Sequence, residues 1–324
     1  MTRPHHHNRP HYHQGATSAT PLLYPSARHP PPQVSRPFFH PLYILDYLFT
    51  FLLLGFSLYL DAVPEPFHRE FQLNDPDIAY PRKGESVSRT MSWVMALGGA
   101  MLVVTLVWVV RLVWSFKGGD EEDWWSKEEG ADEKQWWMEV VLKDVHHALL
   151  GTFLSVTLTF FMVTVTKLLV GRLRPDFLAR CQPDPITLNC RSNDTSEIRK
   201  GHMSFPSGHA SRTAAGLGFA CWYLVAALGV GCFDGRRPEG RVWRVLICTL
   251  PLLVVLYVAV SRLQQNMHHW EDVSVGALLG FTISYICYRF YYPSICEGKG
   301  LAGRPKGGEG KGPQGEASEE RPDV

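Results

Sequence analysis

The sequence predicts an all-α, polytopic membrane protein with six transmembrane helices. Six apolar runs approach or exceed the ~20 residues that a helix needs to cross the hydrocarbon core of a bilayer. The alternating pattern of a transmembrane barrel does not appear, so spanning helices remain as the way to satisfy the backbone in lipid. The six runs lie near 42–60, 91–114, 145–170, 209–230, 244–261 and 273–292.

Polar tails flank the apolar runs. Residues 1–40 contain HHHNRPHYH and a run of prolines, and residues 296–324 are rich in Gly, Lys and Glu. Such compositions predict disorder, and a solvated histidine-rich tail is favoured over a metal-binding one. We therefore predict a six-span domain over 41–295 between two disordered tails. The first forty residues do not resemble a cleavable signal peptide, so the first span is expected to direct insertion.

The third run ends in a basic stretch, Lys167-Leu-Leu-Val-Gly-Arg-Leu-Arg-Pro175. Lys167 and Arg174 are seven residues apart, which is two helical turns, so both side chains can point the same way on a helix. Two cations that snorkel at a membrane edge would explain the same pattern. The loop that follows decides between these interpretations, because it leads to a second unusual motif.

That loop carries two signs of an oxidising compartment. Cys181 and Cys190 are nine residues apart, which suggests a disulfide outside the cytosol. Asn193-Asp-Thr195 is a glycosylation sequon, which suggests the same side of the membrane. The two signals coincide in one loop, so together they indicate a lumenal or extracellular location.

A compact motif, Phe205-Pro-Ser-Gly-His-Ala-Ser-Arg212, opens the fourth run. Pro206 and Gly208 shape a tight entry into a helix whose free amides can bind an anion. Ser207 adds a hydroxyl group and His209 adds a titratable donor. An ordinary helix cap with an incidental histidine is the alternative interpretation.

The stretch from Ser261 to Asp272 connects the fifth and sixth runs. His268 and Asp272 are four residues apart and would share one face of a helix. A carboxylate beside an imidazole fixes its tautomer and stabilises its cation, and Arg262 can fork onto an oxyanion. The combination indicates a histidine nucleophile facing a phosphate, although a polar turn remains the alternative. His269 would point about 100° away on a helix and is not expected to act.

Six spans place all of these motifs at one membrane face. Both tails then lie on the opposite side, and the loops 61–90, 171–208 and 262–272 lie together. The short 233–243 loop is basic, so the positive-inside rule assigns the tails to the cytosol. We therefore expect a lumenal or extracellular site. The organelle does not follow from the sequence.

The motifs Lys167-x6-Arg174-Pro175, Pro206-Ser-Gly-His209 and Ser261-Arg-x5-His268-x3-Asp272 resemble the three-part signature of the type 2 phosphatidic acid phosphatase (lipid phosphate phosphatase) superfamily. All three are complete and in the family's order. The resemblance covers roughly residues 40–295. The first-loop segment from Arg69 to Pro81 is also similar to that of eukaryotic, notably fungal, lipid phosphatases and diacylglycerol pyrophosphate phosphatases.

The resemblance implies a helical bundle related to that of haloperoxidases, and a metal-independent phosphatase that passes through a phosphohistidine. His268 would be the nucleophile, Asp272 would orient it, and His209 would protonate the leaving alkoxide. Five groups would hold the phosphate: Lys167, Arg174, Ser207, the Gly208 amide and Arg262. No cofactor is expected, and no metal, because no Asp/Glu cluster with metal-ligand spacing lies beside the motifs.

A site at a membrane face favours an amphiphilic phosphate, and the resemblance implies phosphatidate, lysophosphatidate or diacylglycerol pyrophosphate. Sphingoid-phosphate, polyprenyl-diphosphate and sugar-phosphate phosphatases share the signature and remain alternatives. A non-catalytic transporter or receptor on the same scaffold is less favoured, because such a protein would be expected to lose signature residues. No nucleic-acid partner is expected, and the oligomeric state does not follow from the sequence.

Overall fold

The computed structural model describes residues 42–116, 133–230 and 241–295. Within these ranges the chain is helical, and apart from one isolated bridge between Pro183 and Cys190 it forms no strand. The predicted all-α class is therefore confirmed for the described part of the chain. The predicted disordered tails and most of the basic 233–243 loop lie outside it.

The long helices form a bundle, and two short helices lie in the loop before the fourth apolar run. A π-helical turn, Val94–Gly98, joins α2 to α3 without a break, so the two form one continuous element. The bounds are α1 (Leu42–Ala62), α2 (Arg89–Trp93), α3 (Gly99–Phe116), α4 (Glu133–Val170), α5 (Phe177–Cys181), α6 (Thr195–Gly201), α7 (Gly208–Ala227), α8 (Arg241–Gln264) and α9 (Trp270–Tyr291).

Within the described ranges, five helical segments are long and apolar enough to cross a membrane, which makes the protein multi-pass. Many of their large apolar side chains are exposed, on α1, α3 and α8 in particular. Such a surface suits contact with lipid, whereas it would be unfavourable in water. The five segments are Leu42–Ala62, Arg89–Val113, Val140–Val170, Val242–Gln264 and Trp270–Tyr291.

The predicted fourth span is not among these five, so six spans are not confirmed. It corresponds to α7, whose sequence is rich in Gly, Ala, Ser and Thr and includes His209 and Arg212. Almost all of α7 is buried, because it contacts α3, α4, α8 and α9. A helix surrounded by protein can carry small and polar residues, and such residues lower the hydropathy that identifies lipid-facing spans.

Two glycines of α9 allow it to approach α7 closely. A β-carbon on Gly276 would stand 2.8 Å from the backbone oxygen of Ser207, and one on Gly280 would overlap the backbone oxygen of Ser211. Glycines four residues apart lie on one helix face and let two backbones meet, as in membrane helix pairs. The first turn of α7 is therefore held against the first turns of α9.

A buried carboxylate ties the other end of the bundle together. Asp144 of α4 accepts hydrogen bonds from Trp108 Nε1 (2.6 Å), the Tyr223 hydroxyl (2.6 Å) and the Tyr292 hydroxyl (2.9 Å). These donors come from α3, α7 and the residue that follows α9. Because buried polar groups need partners, the network connects four separate elements around one acceptor.

The loop between α1 and α2 (63–88) and the loop between α4 and α7 (171–207) pack together beside the end of α4 and the start of α7. A disulfide joins Cys181 to Cys190, as the sequence suggested. Arg180 is buried and pairs with Asp176 at 2.7 Å and with Glu197. Phe177, Leu173 and Ile78 form a small apolar core between the two loops. The disulfide and these ion pairs stabilise the second loop, the apolar core joins it to the first loop, and Arg180 also contacts the sulfur of Met267.

Candidate active site

His268 and Asp272 are both buried and face each other, but they do not form a direct hydrogen bond. Nδ1 of His268 lies 3.7 Å from Oδ2 of Asp272. The hydroxyl of Ser204 donates to the same Oδ2 at 2.6 Å and lies 3.5 Å from Nδ1. The serine hydroxyl therefore lies beside the imidazole and the carboxylate and contacts both.

Asp272 is held from several directions. Arg172 donates from Nη1 to Oδ1 at 2.8 Å, and the backbone amide of His269 donates to Oδ2 at 3.0 Å. The backbone oxygen of Asp272 accepts from the amide of Ser207 at 2.8 Å. With the Ser204 bond, these contacts fix the carboxylate and join the start of α9 to the start of α7.

The prediction that His268 and Asp272 share one face of a helix is wrong. α9 begins at Trp270, with His269 as its N-cap, so His268 lies just outside the helix. Asp272 is the third helical residue, and its carboxylate turns back to the amide of the cap. The two side chains meet because a capping interaction aims the carboxylate backward.

Lys167 and Arg174 are also brought together by a bend and not by one helix face. α4 ends at Val170, and Gly171 has a φ of +57°, the left-handed conformation that commonly ends a helix. Arg174 then donates to the backbone oxygens of Lys200 (2.8 Å) and Met267 (3.4 Å). Lys167 donates to the backbone oxygen of Met203 at 2.7 Å.

The first residues of α7 carry polar atoms without a protein partner. Ser207 occupies the N-cap position, but its hydroxyl makes no capping bond. Within the described residues, the Ser207 Oγ and the His209 Nε2 are buried and have no hydrogen-bond partner. The alternative of an ordinary cap is therefore not supported at Ser207, because the hydroxyl is not used for capping.

Arg262, at the end of α8, also has buried polar atoms without a hydrogen-bond partner among the described residues. Its side chain is 1% exposed, and its Nε donates to the Ser261 hydroxyl at 3.2 Å. Its Nη1 and Nη2 are buried and lack a partner among the described residues. Burying an arginine with two donors unmet is unfavourable unless an anion can reach them.

These residues surround two cavities. Arg174, His209, Arg262 and His268 line a cavity of about 540 Å³. Lys167 and Gly208 line a smaller cavity of about 60 Å³, together with Arg174, His209 and His268. Asp272 and Ser207 line neither cavity; Asp272 lies behind His268. Among the predicted site residues, the structure thus places six around a common space and two directly beside it.

Three residues that sequence reasoning did not assign also belong to this region. Arg172 and Ser204 bind Asp272, and Arg212 lines the smaller cavity. Each lies close to a motif: Arg172 two residues before Arg174, Ser204 two before Pro206, and Arg212 one turn after His209. Proximity to the motifs is the signal that could have identified them.

Burial affects the pKa of two candidate site residues that lie in loops, His268 and Arg174. Burial lowers the pKa of His268 well below its ordinary value, although Asp272 opposes this effect, so the imidazole is neutral near pH 7. Burial also lowers the pKa of Arg174 to about 10, which leaves it charged. A neutral imidazole thus faces a cavity with fixed positive charge.

Metal ligands are not grouped in the described ranges. No set of three or more His, Cys, Asp or Glu side chains there is placed to hold a metal ion. His269, which sequence reasoning left without a role, directs its Nε2 toward the backbone oxygen of Asp77 at 3.2 Å and lines neither cavity. The cations and the helix-start amides around the two cavities can bind a tetrahedral anion beside the His268 imidazole.

Comparison with known proteins agrees with this arrangement. The family model of the PAP2 superfamily matches residues 148–296. Lipid phosphate phosphatase 2 of Arabidopsis thaliana is 35% identical over 257 residues, which are 76% of this chain and 77% of that protein. Diacylglycerol pyrophosphate phosphatase 1 of Saccharomyces cerevisiae is 29% identical over 258 residues, 76% and 78% of the two chains.

A further relative matches over a shorter stretch. The probable diacylglycerol pyrophosphate phosphatase 1 of Schizosaccharomyces pombe is 38% identical over 157 residues, 46% of this chain and 54% of that protein. No solved structure matches the chain. Residues 148–296, which the family model matches, contain all the residues that line the two cavities except Asp61 of α1 and those of the first loop and α2. On the extent of these matches, the chain belongs to the PAP2 superfamily.

Proposed function

We propose that this protein is an integral-membrane lipid phosphate phosphatase that works without Mg²⁺ and through a phosphohistidine. Its proposed substrates are phosphatidate, lysophosphatidate and diacylglycerol pyrophosphate, in line with the names of its relatives. The observation that carries the proposal is the set of buried, unpartnered polar atoms around His268, namely the Ser207 Oγ, the His209 Nε2 and the Arg262 Nη1 and Nη2. A bound phosphate would satisfy all of them.

The first chemical step is attack by His268 on phosphorus. Because Nδ1 faces Ser204 and Asp272, Nε2 is the nitrogen directed to the cavity. A bond forms between Nε2 and phosphorus, and the bond from phosphorus to the leaving oxygen breaks. His209 donates a proton to that oxygen, and the lipid product departs. Covalent catalysis divides one difficult displacement into two easier ones.

The second step releases phosphate. A water molecule gives its proton to His209 and attacks phosphorus, and the bond from phosphorus to Nε2 breaks. Asp272 stabilises the imidazole while it carries positive charge, as a carboxylate does beside a catalytic histidine. Inorganic phosphate leaves, and both histidines return to their starting protonation states.

Charge neutralisation supports catalysis without a metal ion. Phosphoryl transfer depends mainly on positioning and on stabilising charge at the equatorial oxygens. Lys167, Arg174 and Arg262 supply three cations, and the amide of Gly208 and the Ser207 hydroxyl supply donors at a helix start. A β-carbon on Gly208 would stand 3.8 Å from Lys167 Cε, so a side chain there would fill the space proposed for phosphate.

We also propose that α7 is a sixth membrane crossing. It starts beside the site, and at its other end the backbone oxygen of Leu228 accepts from Arg244 near the start of α8. Its 20 residues correspond to about 30 Å, the thickness of the hydrocarbon core. Six crossings place both termini on one side, proposed to be cytosolic, and the site on the lumenal or extracellular side. The Cys181–Cys190 disulfide supports this orientation.

Glycosylation tests the proposed orientation. Asn193 is exposed in the loop beside the disulfide. Expression in cells with an N-glycosylation pathway is expected to give a glycosidase-sensitive mass shift that Asn193→Gln removes. A second sequon placed in the 233–243 loop is expected to remain unmodified. Modification of that second sequon would overturn the orientation.

The function is tested by phosphate release from detergent-solubilised protein in excess chelator. The panel contains phosphatidate, lysophosphatidate, diacylglycerol pyrophosphate, a sphingoid phosphate and a water-soluble sugar phosphate, with His268→Ala as the control. Release from the glycerolipids that vanishes in the variant supports the proposal. Release only from another substrate would overturn the substrate assignment, and dependence on added Mg²⁺ would overturn the mechanism.

A further inference from the structure

The smaller cavity beside His209 has two walls of different character. Phe160 and Val163 of the membrane-spanning helix α4 form an apolar wall. On the polar side, Arg212 and Arg89 contribute positive charge and Asp61 contributes negative charge. Neither arginine belongs to the three-part signature, and the catalytic steps above do not use them. Their position next to His209 is what requires an explanation.

Arg212 is a buried cation directed at this space. Its side chain is 5% exposed and lies one turn after His209 on α7. Its Nη1 donates to the Ser92 hydroxyl at 2.5 Å, and the guanidinium stacks on Trp93 with its carbon 4.4 Å from the ring centroid. Nε has no partner among the described residues. Nη2 lies 3.9 Å from the point where a β-carbon on Gly208 would stand, which places it beside the proposed phosphate.

Arg89 approaches the same space from the start of α2. Its side chain is 60% exposed and donates to Asp61 at 2.8 Å, the end of α1. It lines both cavities around the site and a third cavity of about 400 Å³ that contains Lys167 and Arg174. Because the pair with Asp61 is exposed, it is weak and can be exchanged for a stronger anion at small cost.

The positive charge exceeds what one phosphate needs. A phosphomonoester carries about −1.5 to −2 at pH 7, and Lys167, Arg174 and Arg262 already face it. Arg212 and Arg89 add two more positive charges, and Asp61, which pairs with Arg89, offsets one of them. Asp61 is the only acidic residue among the described residues that line the smaller cavity. The excess therefore lies on the side of His209, which is the side of the leaving oxygen.

We propose, building on the phosphatase function above, that Arg212 and Arg89 form a subsite for a leaving group that itself carries phosphate. The two arginines then raise kcat/KM for lipid diphosphates relative to lipid monophosphates with the same acyl chains. Nε2 of His268 bonds to the terminal phosphorus, the bridging bond to oxygen breaks, and its electron pair stays on the departing lipid monophosphate. His209 protonates the bridging oxygen, and the two arginines neutralise the remaining charge.

The test compares kcat/KM for a diacylglycerol diphosphate and for phosphatidate of the same chain length, in mixed micelles with chelator. Arg89→Gln is the decisive variant, because its side chain is largely exposed and its loss leaves the fold intact. Arg191→Gln is the matched control: Arg191 is 62% exposed, pairs with Asp184 and lines none of the cavities described above. Arg212→Lys is a second variant, with thermal unfolding recorded to confirm that it folds.

We expect Arg89→Gln to lower the ratio of diphosphate to monophosphate kcat/KM about tenfold or more, as loss of a charge-assisted hydrogen bond implies. Arg191→Gln leaves the ratio unchanged, and Asp61→Asn, which frees Arg89, raises it. A ratio unaffected by Arg89→Gln, or an equal loss on both substrates, would overturn the subsite while leaving the phosphatase function standing. Wild-type protein that hydrolyses neither lipid would overturn both.

Discussion

The Ser204 hydroxyl donates a 2.6 Å hydrogen bond to Oδ2 of Asp272, and both side chains are completely buried. The same hydroxyl oxygen lies 3.5 Å from Nδ1 of His268, nearer than the carboxylate. Ser204 therefore holds Oδ2 of Asp272 beside the imidazole, and both the hydroxyl and the carboxylate lie on the Nδ1 side of His268. This arrangement leaves the lone pair of Nε2 facing the cavity.

Ser204→Ala is expected to lower kcat about 10- to 100-fold with little change in KM, because it removes a hydrogen bond to a charged group that orients the nucleophile. Ser204→Thr, which keeps the hydroxyl, is expected to recover much of the rate. Steady-state kinetics on phosphatidate measures both. A loss of equal size in both variants would indicate a steric role in place of an orienting one.

The leaving group is expected to separate the roles of His209 and His268. His209→Ala should lose about 10²–10⁴-fold on a lipid phosphate, because an alkoxide needs a proton as it leaves. On an aryl phosphate such as p-nitrophenyl phosphate, whose leaving group needs little protonation, the loss should be much smaller. His268→Ala should lose activity on both substrates. Equal losses of His209→Ala on both would contradict its role as general acid.

Acid pH is expected to destabilise the protein through His202, a buried residue between α6 and α7. Burial, with a smaller effect of His68, lowers the pKa of His202 to about 4 from 6.5. Between pH 6.5 and pH 4 the unfolded chain binds a proton at His202 that the folded chain does not bind. The contribution of His202 to the free energy of unfolding is therefore fully present above pH 6.5 and is lost as the pH falls toward 4.

Thermal unfolding in detergent at pH 7.5 and pH 5 measures this effect. The decrease in Tm between the two pH values should be smaller for His202→Gln than for the wild type. Some decrease should persist in the variant, because the pKa of His268 is also lowered by burial. An unchanged decrease in His202→Gln would show that this residue is protonated without cost in the folded state.

Gly280→Ala is expected to reduce both stability and activity. A β-carbon there overlaps the backbone oxygen of Ser211, so α7 and α9 must move apart at a cost of about 1–3 kcal/mol. Gly55→Ala is the matched control, since a β-carbon on this α1 glycine meets no atom within 4 Å. Tm and kcat/KM of both variants are compared with the wild type. A Gly280→Ala protein as stable and active as the control would contradict the close packing of these helices.

Sequence reasoning predicted that the candidate site residues lie together, because each motif lies at a helix end and the number of spans between motifs determines which ends share a membrane face. The structure places six of them around the two cavities. Sequence reasoning was wrong about how residues within a motif meet. Lys167 and Arg174 are separated by the bend at Gly171, and His268 lies outside α9. Spacing alone assumes that a helix continues, whereas a glycine or a cap residue can end it between the two residues.

Other features depended on tertiary contacts that the sequence does not display. Arg212 becomes a site residue only because α2 supplies Ser92 and Trp93 on one side of it. In the sequence, Ser204 is an ordinary loop serine. It becomes a partner of Asp272 only because the capping interaction at the start of α9 turns the carboxylate toward it. The hydropathy of α7 was likewise uninformative, because its neighbours are other helices and not lipid.

The Asp144 network has a consequence for how the protein is synthesised. Its last donor in the sequence, Tyr292, follows α9 and is therefore the last of the partners to leave the ribosome. A chain that ends before this residue keeps a buried carboxylate with one of its donors missing, which is costly in a nonpolar interior. This end of the bundle is thus completed only when Tyr292 has been added, and chains that stop before it are expected to be less stable.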